Sequence, residues 1–424
     1  MAVSAPLAPL APLLRGEAGV AGVLGRRQAT FAVPASVQPF VLAGLTYLSE
    51  RSPVIVLTPT LADAERLADD LACFVGPTDG ASGSAEDPRM RAGTGSPTEI
   101  GRSGVELFPP WETLPFERVS PDVGAMGRRL ALLWRLFGQP QGAGDAKSAL
   151  IVVAPVRAVL QRLGPWEQAA RPLVVGRGDR LDVAEVLGRL TEMGYRREHQ
   201  IEHRGEIAVR GGIIDVFPST FDVPVRIDLF GDEIDRLTWF DVSDQRSAGD
   251  LDRASIFGCR ELVPTADIRE QAAELVETQP WGRGNWERIA SGQSFDGMEA
   301  WLPWLCPDGR LLTDLLSADA QVVVLEPKRT RDRALELIDE EAALVGVLAE
   351  TWGYRSVPGS EPEDVPRLHL GFERLLARCA APLLLIPPAP EGPGVPGVSV
   401  NSVPTVAGDP SRLARELIDL SGRG

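Results

Sequence analysis

Lysine is almost absent from this chain of 424 residues, in which only Lys147 and Lys328 occur against 41 arginines. Together with heavy use of Ala, Gly and Pro, this composition indicates a GC-rich genome and says nothing about function. The formal net charge is -16. A chain this acidic is a poor non-specific binder of DNA, because affinity for a duplex depends on neutralising its phosphates. A local basic surface remains compatible with that total.

Metal-site and membrane signals are also missing. The four cysteines stand far apart and form no CxxC pair, which argues against a zinc site or a disulfide framework. His199 and His203 have i,i+4 spacing, which suits a metal only on a helix. Their stretch is predicted to be extended, so we interpret them as ordinary polar residues. No run approaches the roughly 20 apolar residues of a membrane span, and residues 1–14 lack the basic start of a signal peptide. We expect a cytoplasmic chain with no membrane contact and a partly loose N-terminus.

Apolar runs predict a parallel sheet. Three of them are expected to be buried strands and a fourth to join or flank the same sheet: Val54–Leu57, Leu150–Val153, Val322–Leu325 and Pro382–Ile386. The first run leads into a predicted helix at Leu61–Phe74, with Thr60 as its N-cap. The third leads into a predicted helix at about Thr330–Ala349. This alternation of strands and helices predicts an α/β layer fold.

Segments rich in Gly, Pro and Ser predict surface loops at 76–104 and 139–147, and a linker at 387–396. A final helix is predicted at Ser411–Leu420. The chain then stops without a closing element, so we interpret it as a piece of a longer protein.

Between residues 165 and 249 the pattern changes to that of a small α+β domain. A helix is predicted at Leu181–Met193, and Gly194 stands where a glycine would end it. Short strands with an antiparallel arrangement are expected at Ile207–Arg210, Ile213–Phe217, Val225–Phe230 and Ile234–Phe240, with turns at Gly211-Gly212 and Gly231-Asp232. We therefore predict an α/β domain at 1–164 and 250–408 that is interrupted by this insertion, and a linker helix at 409–424.

Two sequence segments resemble a known family. The first is FPPWETLPFE at 108–117, followed by Ser120-Pro121. The second is RGEIAVRGGIIDVFP at 204–218, continued by RIDLFGDEID at 226–235 and by QRS at 245–247. In order and spacing they are similar to the signature shared by UvrB and the bacterial transcription-repair coupling factor. The resemblance implies a helicase-like α/β domain with an inserted domain that contacts UvrA. We interpret Trp111 as a packing residue rather than a site.

The nucleotide-binding loop separates the two members of this family. UvrB has a P-loop near its N-terminus, in which glycine amides cradle the phosphates and a lysine reaches them. The matching segment here, ATFAVPASVQ at 29–38, has neither Gly nor Lys, and Pro34 removes a backbone donor. We therefore predict a degenerate ATP site, as in the coupling factor, and a chain that is not an enzyme and holds no cofactor. The resemblance assigns ATP, Mg²⁺, RNA polymerase and double-stranded DNA to C-terminal domains beyond this chain.

The inserted domain supplies the candidate contacts with UvrA: Arg196, Arg197, Arg210, Phe217, Arg226 and Asp228. Because side chains alternate along a strand, Arg226 and Asp228 share one face while Val225, Ile227 and Leu229 share the other. Charged groups on the free face suit charge-assisted pairs with a protein partner. The resemblance places UvrA-contacting arginines at Arg197 and Arg210. The alternative is a solvated face with internal Arg–Asp pairs, in which Phe217 serves the fold.

Two other functions remain open at this point. One is a UvrB-like ATPase that verifies DNA damage, which the missing P-loop and the acidic charge oppose. The other is a structural brace for the motor domains with no partner of its own. The resemblance also implies an intramolecular contact that masks the UvrA surface in the longer protein. No set of nucleophile and base stands out in the sequence, so no catalytic residue is predicted.

Overall fold

The structure is a computed structural model that describes residues 7–75, 104–113, 117–138, 150–351, 365–398, 400 and 410–421. The loops expected at 76–104 and 139–147 lie outside the described residues, except for Gly104.

Fourteen strands are present in the described part of the chain: β1 Gln28–Thr30, β2 Val54–Thr58, β3 Val105–Leu107, β4 Ile151–Pro155, β5 Leu173–Gly176, β6 Arg196–Arg197, β7 Glu206–Arg210, β8 Ile213–Val216, β9 Val225–Phe230, β10 Glu233–Phe240, β11 Ser247–Asp250, β12 Arg253–Ile256, β13 Gln321–Leu325 and β14 Leu383–Ile386. The α-helices are α1 Ala18–Ala21, α2 Gln38–Ser49, α3 Leu61–Ala72, α4 Val123–Leu133, α5 Val156–Leu160, α6 Trp166–Ala169, α7 Val183–Glu192, α8 Ala266–Thr278, α9 Arg283–Ala290, α10 Leu302–Leu305, α11 Pro327–Thr351, α12 Phe372–Arg378 and α13 Pro410–Ser421. The 3₁₀ helices are Ala8–Gly16, Ala35–Val37, Pro280–Gly282, Met298–Trp301 and Leu312–Leu315, and Trp134–Gly138 is a single π-helical turn.

The predicted α/β layer is confirmed as a six-stranded sheet in the order β1-β14-β13-β2-β4-β3, with every neighbouring pair parallel. All four apolar runs are strands of this sheet. Its central strands are buried on both faces, as continuous apolar runs require. On β2, Ile55 and Leu57 enter one core, whereas Val54 and Val56 enter the other. Helices therefore cover the sheet on both sides.

Local signals set the helix ends. The Thr60 hydroxyl accepts a hydrogen bond from the Asp63 amide at 3.2 Å, which confirms the predicted N-cap of α3. Helix α11 begins at Pro327, slightly before the predicted start, because proline fits the first turn of a helix. The expectation of a partly loose N-terminus at residues 1–14 is wrong for residues 8–14, which belong to the segment Ala8–Gly16. They form a 3₁₀ helix, and Ala11 and Leu14 are buried.

The inserted domain is a second six-stranded sheet in the order β11-β10-β9-β8-β7-β6. Neighbouring strands of this sheet are antiparallel, except for β6 and β7, which are parallel. Helix α7 covers one face through Val186 and Leu190. The predicted glycine stop is confirmed, since Gly194 has a φ of 91°. The core of this unit runs past residue 249, because β12 pairs with β5 and buries Ala254 and Ile256 in it.

A lobe that the sequence did not suggest follows the insertion. Helices α8, α9 and α10 enclose a cluster of tryptophans whose ring centroids lie 4.9–6.3 Å apart: Trp281, Trp286, Trp301 and Trp304. Aromatic pairs at such distances stabilise a core beyond the area that they bury. These tryptophans are structural.

A buried ion pair joins this lobe to the parallel-sheet domain. Arg129 and Glu261 are both fully buried, and Glu261 also accepts a hydrogen bond from the indole of Trp111 at 3.1 Å. The prediction that Trp111 packs rather than binds is confirmed, since it is 0% exposed. No helix among the described residues combines the length and the apolar character needed to cross a membrane.

Candidate partner-binding surface

The segment 29–38, which the sequence predicts to be a degenerate nucleotide loop, is filled by another part of the chain, residues 385–397. The backbone amides of Phe31, Ala32 and Val33 donate hydrogen bonds of 2.9, 2.8 and 2.9 Å to carbonyls of the segment 385–396. Gly397 then forms a parallel bridge with Ala32. Three backbone donors of the segment that matches a P-loop therefore already have partners. The segment predicted as a linker at 387–396 lies against this position instead of standing free.

The sheet of the inserted domain has one covered and one outer face. Cross-strand partners share a face. On the covered face, β7, β8, β9 and β10 place the half-buried Val209 and the buried Ile214, Ile227 and Leu237 beneath α7. The outer face carries a row that crosses the same four strands: Arg210, Ile213, Asp228 and Arg236. Charged side chains thus stand on the side that no helix of the described domain covers, as the alternation on β9 predicts.

Arg226 belongs to this outer face, yet its guanidinium is held within the fold. Its Nε and Nη2 donate to the two carboxylate oxygens of Asp215 at 2.7 and 3.0 Å. It also stacks over the ring of Phe240 at 4.4 Å, and Nη1 donates to the carbonyl of Gln245 at 3.1 Å. The hydrogen bonds to Asp215 raise the pKa of Arg226. These contacts match the alternative of an internal Arg–Asp pair.

Phe217 and Asp228 are less exposed than the arginines of β6. Phe217 is 7% exposed and packs with Ile201, Ala208 and Phe240 in a small second core on the outer face. Asp228 is half-buried, and burial is the main cause that raises its pKa, against the lowering effect of Arg226. Phe217 therefore serves the fold, as the alternative predicts, whereas Asp228 makes no ion pair or hydrogen bond through its side chain in the described part of the chain.

Three predicted arginines are exposed. Arg196 and Arg197 form the edge strand β6, and Arg210 ends β7. The Arg210 guanidinium donates to the carbonyl of His199 at 2.6 Å, which orders an exposed cation. Within the described residues, neither Arg196 nor Arg197 has an ion pair, so both guanidinium groups keep their donors for a partner.

One exposed residue was missed by sequence reasoning. Phe230 is 84% exposed at the tip of the β9–β10 hairpin, directly before the Gly231-Asp232 turn. Alternation along β9 places it on the outer face with Arg226 and Asp228. The signal was an aromatic residue at the end of a strand, directly before a Gly-Asp turn. Aromatic and arginine side chains together are typical of binding hot spots.

The part of the chain that the structure describes holds no group of potential metal ligands, and its Cys259 is buried. Among the residues that the structure describes, no three His, Cys, Asp or Glu side chains are grouped to hold a metal ion. Burial raises the pKa of the Cys259 thiol to about 12, which keeps it protonated and unreactive. The arrangement suits recognition of a protein surface by arginine and aromatic side chains.

Comparisons with known proteins agree with this arrangement. Residues 173–262 match the family described as the UvrB interaction domain. The chain is 36% identical over 80% of its length to the transcription-repair-coupling factor of Mycobacterium tuberculosis. Identity is 32% over 55% of the chain for the Haemophilus influenzae factor, and 28% over 59% for that of Escherichia coli. The matches cover 26%, 20% and 19% of those proteins, so the chain spans about a quarter of their length or less. The chain therefore belongs to the transcription-repair-coupling factor family, in which it corresponds to the N-terminal, UvrB-like module.

Proposed function

We propose that this chain is a docking module that recruits UvrA, and that a longer protein uses it to link stalled RNA polymerase to nucleotide excision repair. The observation that carries the proposal is the exposed set of Arg197, Arg210 and Phe230 on a domain that matches the UvrB interaction domain. Arginine can form paired hydrogen bonds with carboxylates of a partner. An exposed aromatic side chain adds apolar contact area at little conformational cost.

The module acts by binding and not by catalysis. The filled nucleotide loop supports a chain that neither holds ATP and Mg²⁺ nor moves on DNA, which opposes the alternative of a UvrB-like ATPase. RNA polymerase and double-stranded DNA are partners of the longer protein in this proposal. The structural brace remains the competing account, since it needs no exposed contact residues.

Calorimetric titration of the chain into UvrA without nucleotide tests the docking role. We expect saturable one-site binding that Arg197→Ala, Arg210→Ala or Phe230→Ala each weaken by about 1 kcal/mol or more, the usual threshold for an important interface residue. The matched control is Arg253→Ala. Arg253 is exposed on β12, outside the six-stranded sheet of the inserted domain, so this variant should bind UvrA as the parent chain does. Absence of binding by a folded chain would reject docking and leave the structural brace.

A further inference from the structure

A second candidate surface is a cleft of about 750 Å³ between the inserted domain and the rest of the chain. One wall is the segment 118–126, which leads into α4. A second wall runs from the end of α7 into β6, and a third comes from α9 and residues 294–296. Five arginines line the cleft: Arg118, Arg196, Arg204, Arg260 and Arg288.

Arginine is the most frequent charged residue in the lining of this cleft, although the chain as a whole carries a formal charge of -16. The five arginines outnumber the lining carboxylates Asp122 and Asp296 together with Asp222 and Glu299, which pair with Arg204 and Arg260. Clefts lined by charge of one sign concentrate the electric field and attract ligands of the opposite sign. The cleft is therefore a local site for an anion on a molecule that otherwise repels anions.

Two of the arginines build the cleft. Arg260 donates to the buried carboxylate of Glu299 and to that of Asp296, at 2.9 and 3.1 Å. Arg204 pairs with Asp222 at 2.5 Å. The Ser120 hydroxyl also donates to Glu299, at 2.7 Å. Through Glu299 and Arg260, the wall at 118–126 is joined to the wall at 294–296.

Two other arginines are available to a ligand. Arg196 and Arg288 are exposed, and in the described part of the chain neither makes an ion pair. Arg288 is held in place by stacking over the ring of Phe295, with its guanidinium carbon 3.9 Å from the ring centre. A guanidinium that stacks by its face keeps its edge donors free for a carboxylate.

Apolar side chains separate these charges. Val119 is 65% exposed, and Val123 and Phe295 are half-buried in the same lining. We propose that the cleft binds an extended acidic segment of a protein partner, in which carboxylates alternate with apolar side chains. Apolar walls suit such a peptide better than a phosphodiester backbone, and the overall negative charge disfavours long nucleic acids.

Fluorescence anisotropy with a labelled decapeptide of Asp, Glu and Leu tests this site. We expect saturable binding to the whole chain that weakens at higher salt, since exposed charges are screened. A decapeptide with Asn and Gln in place of Asp and Glu should bind about tenfold more weakly, roughly 1.4 kcal/mol. Arg288→Glu should cause a loss of similar size. Arg171 is exposed but does not line the cleft. The control variant Arg171→Glu should therefore bind the acidic peptide with an affinity within about twofold of the parent chain.

Arg288 lies on α9, outside the inserted domain, so its replacement leaves the proposed UvrA surface intact. The two proposals can therefore fail separately. Equal binding of the acidic and neutral peptides, or an unchanged affinity in a folded Arg288→Glu variant, would overturn the acidic-peptide proposal. Tighter binding of a single-stranded oligonucleotide with the same charge would overturn it in favour of a phosphate site.

Discussion

At the scale of single residues, similar arginines on one sheet have different roles. Arg226 is bound to Asp215 by two hydrogen bonds and its side chain is 18% exposed, whereas Arg197 has no ion pair in the part of the chain described. The sequence shows the same residue type in both places. Its partners decide whether the guanidinium stabilises the fold or is free to bind another protein.

The Arg226–Asp215 pair should therefore contribute to stability. Asp215→Asn removes a charge-assisted acceptor from a nearly buried position, and the free energy of unfolding should fall by about 1–3 kcal/mol. Urea denaturation followed by circular dichroism measures this change.

The matched control is Asp250→Asn. Asp250 pairs with Arg236 at 2.8 Å, but both side chains are more than half exposed. Exposed pairs contribute little, so this variant should unfold at the same urea concentration as the parent chain. Equal shifts for the two variants would show that the Arg226–Asp215 pair has no special structural role.

At the scale of elements, sequence patterns predicted several of the long, periodic segments, although not the helices α2 and α8. Strands β2, β4 and β13 are continuous apolar runs, and α7 has a helical period with a glycine stop. Strands β1 and β3 have three residues each, which is too short for a period to emerge. The tryptophan lobe was missed because its four rings come from different helical segments and meet only in the tertiary fold.

A buried hydrogen-bonded pair, Glu341 and His369, joins α11 to the segment before α12. We expect this pair to make the free energy of unfolding depend on pH. The Glu341 carboxylate accepts hydrogen bonds from the amide of Leu368 at 2.6 Å and from Nδ1 of His369 at 2.7 Å. Burial lowers the pKa of His369, and the hydrogen bond to Glu341 opposes this effect. Unfolded histidine has a pKa of about 6.5. Below that pH the unfolded chain binds more protons than the folded one, so stability falls as the pH falls.

Denaturation at pH 7.5 and pH 5.5 checks this contribution. The loss of stability on acidification should be smaller in His369→Gln than in the parent chain, because the variant lacks the group that titrates differently on unfolding. His203→Gln is the control, since His203 is exposed. It should show the same loss as the parent chain. An identical acid dependence in His369→Gln would contradict the assignment.

At the scale of the whole molecule, the architecture follows from the sequence further than the surface does. The α/β layer with an inserted antiparallel domain could be predicted from apolar runs and turn residues. Which side chains stay exposed could not, because alternation gives the face of a strand but not what covers it. Phe217 directly follows β8 and is 7% exposed, whereas Phe230 ends the neighbouring strand β9 and is 84% exposed.

The filled loop at the carboxyl edge of the parallel sheet leads to a prediction for the whole chain. Nucleotides bind at this edge in α/β proteins, where a helix N-terminus and free amides meet the phosphates. Here the amides of residues 31–33 already have carbonyl partners, and Pro34 has no amide proton. Titration of the chain with a fluorescent ATP analogue and Mg²⁺ should give no saturable signal, and ATP hydrolysis should not exceed that of buffer. UvrB, which has the glycine-lysine loop, is the positive control. Saturable binding that unlabelled ATP displaces would require segment 385–398 to leave this edge, and would revive the ATPase alternative.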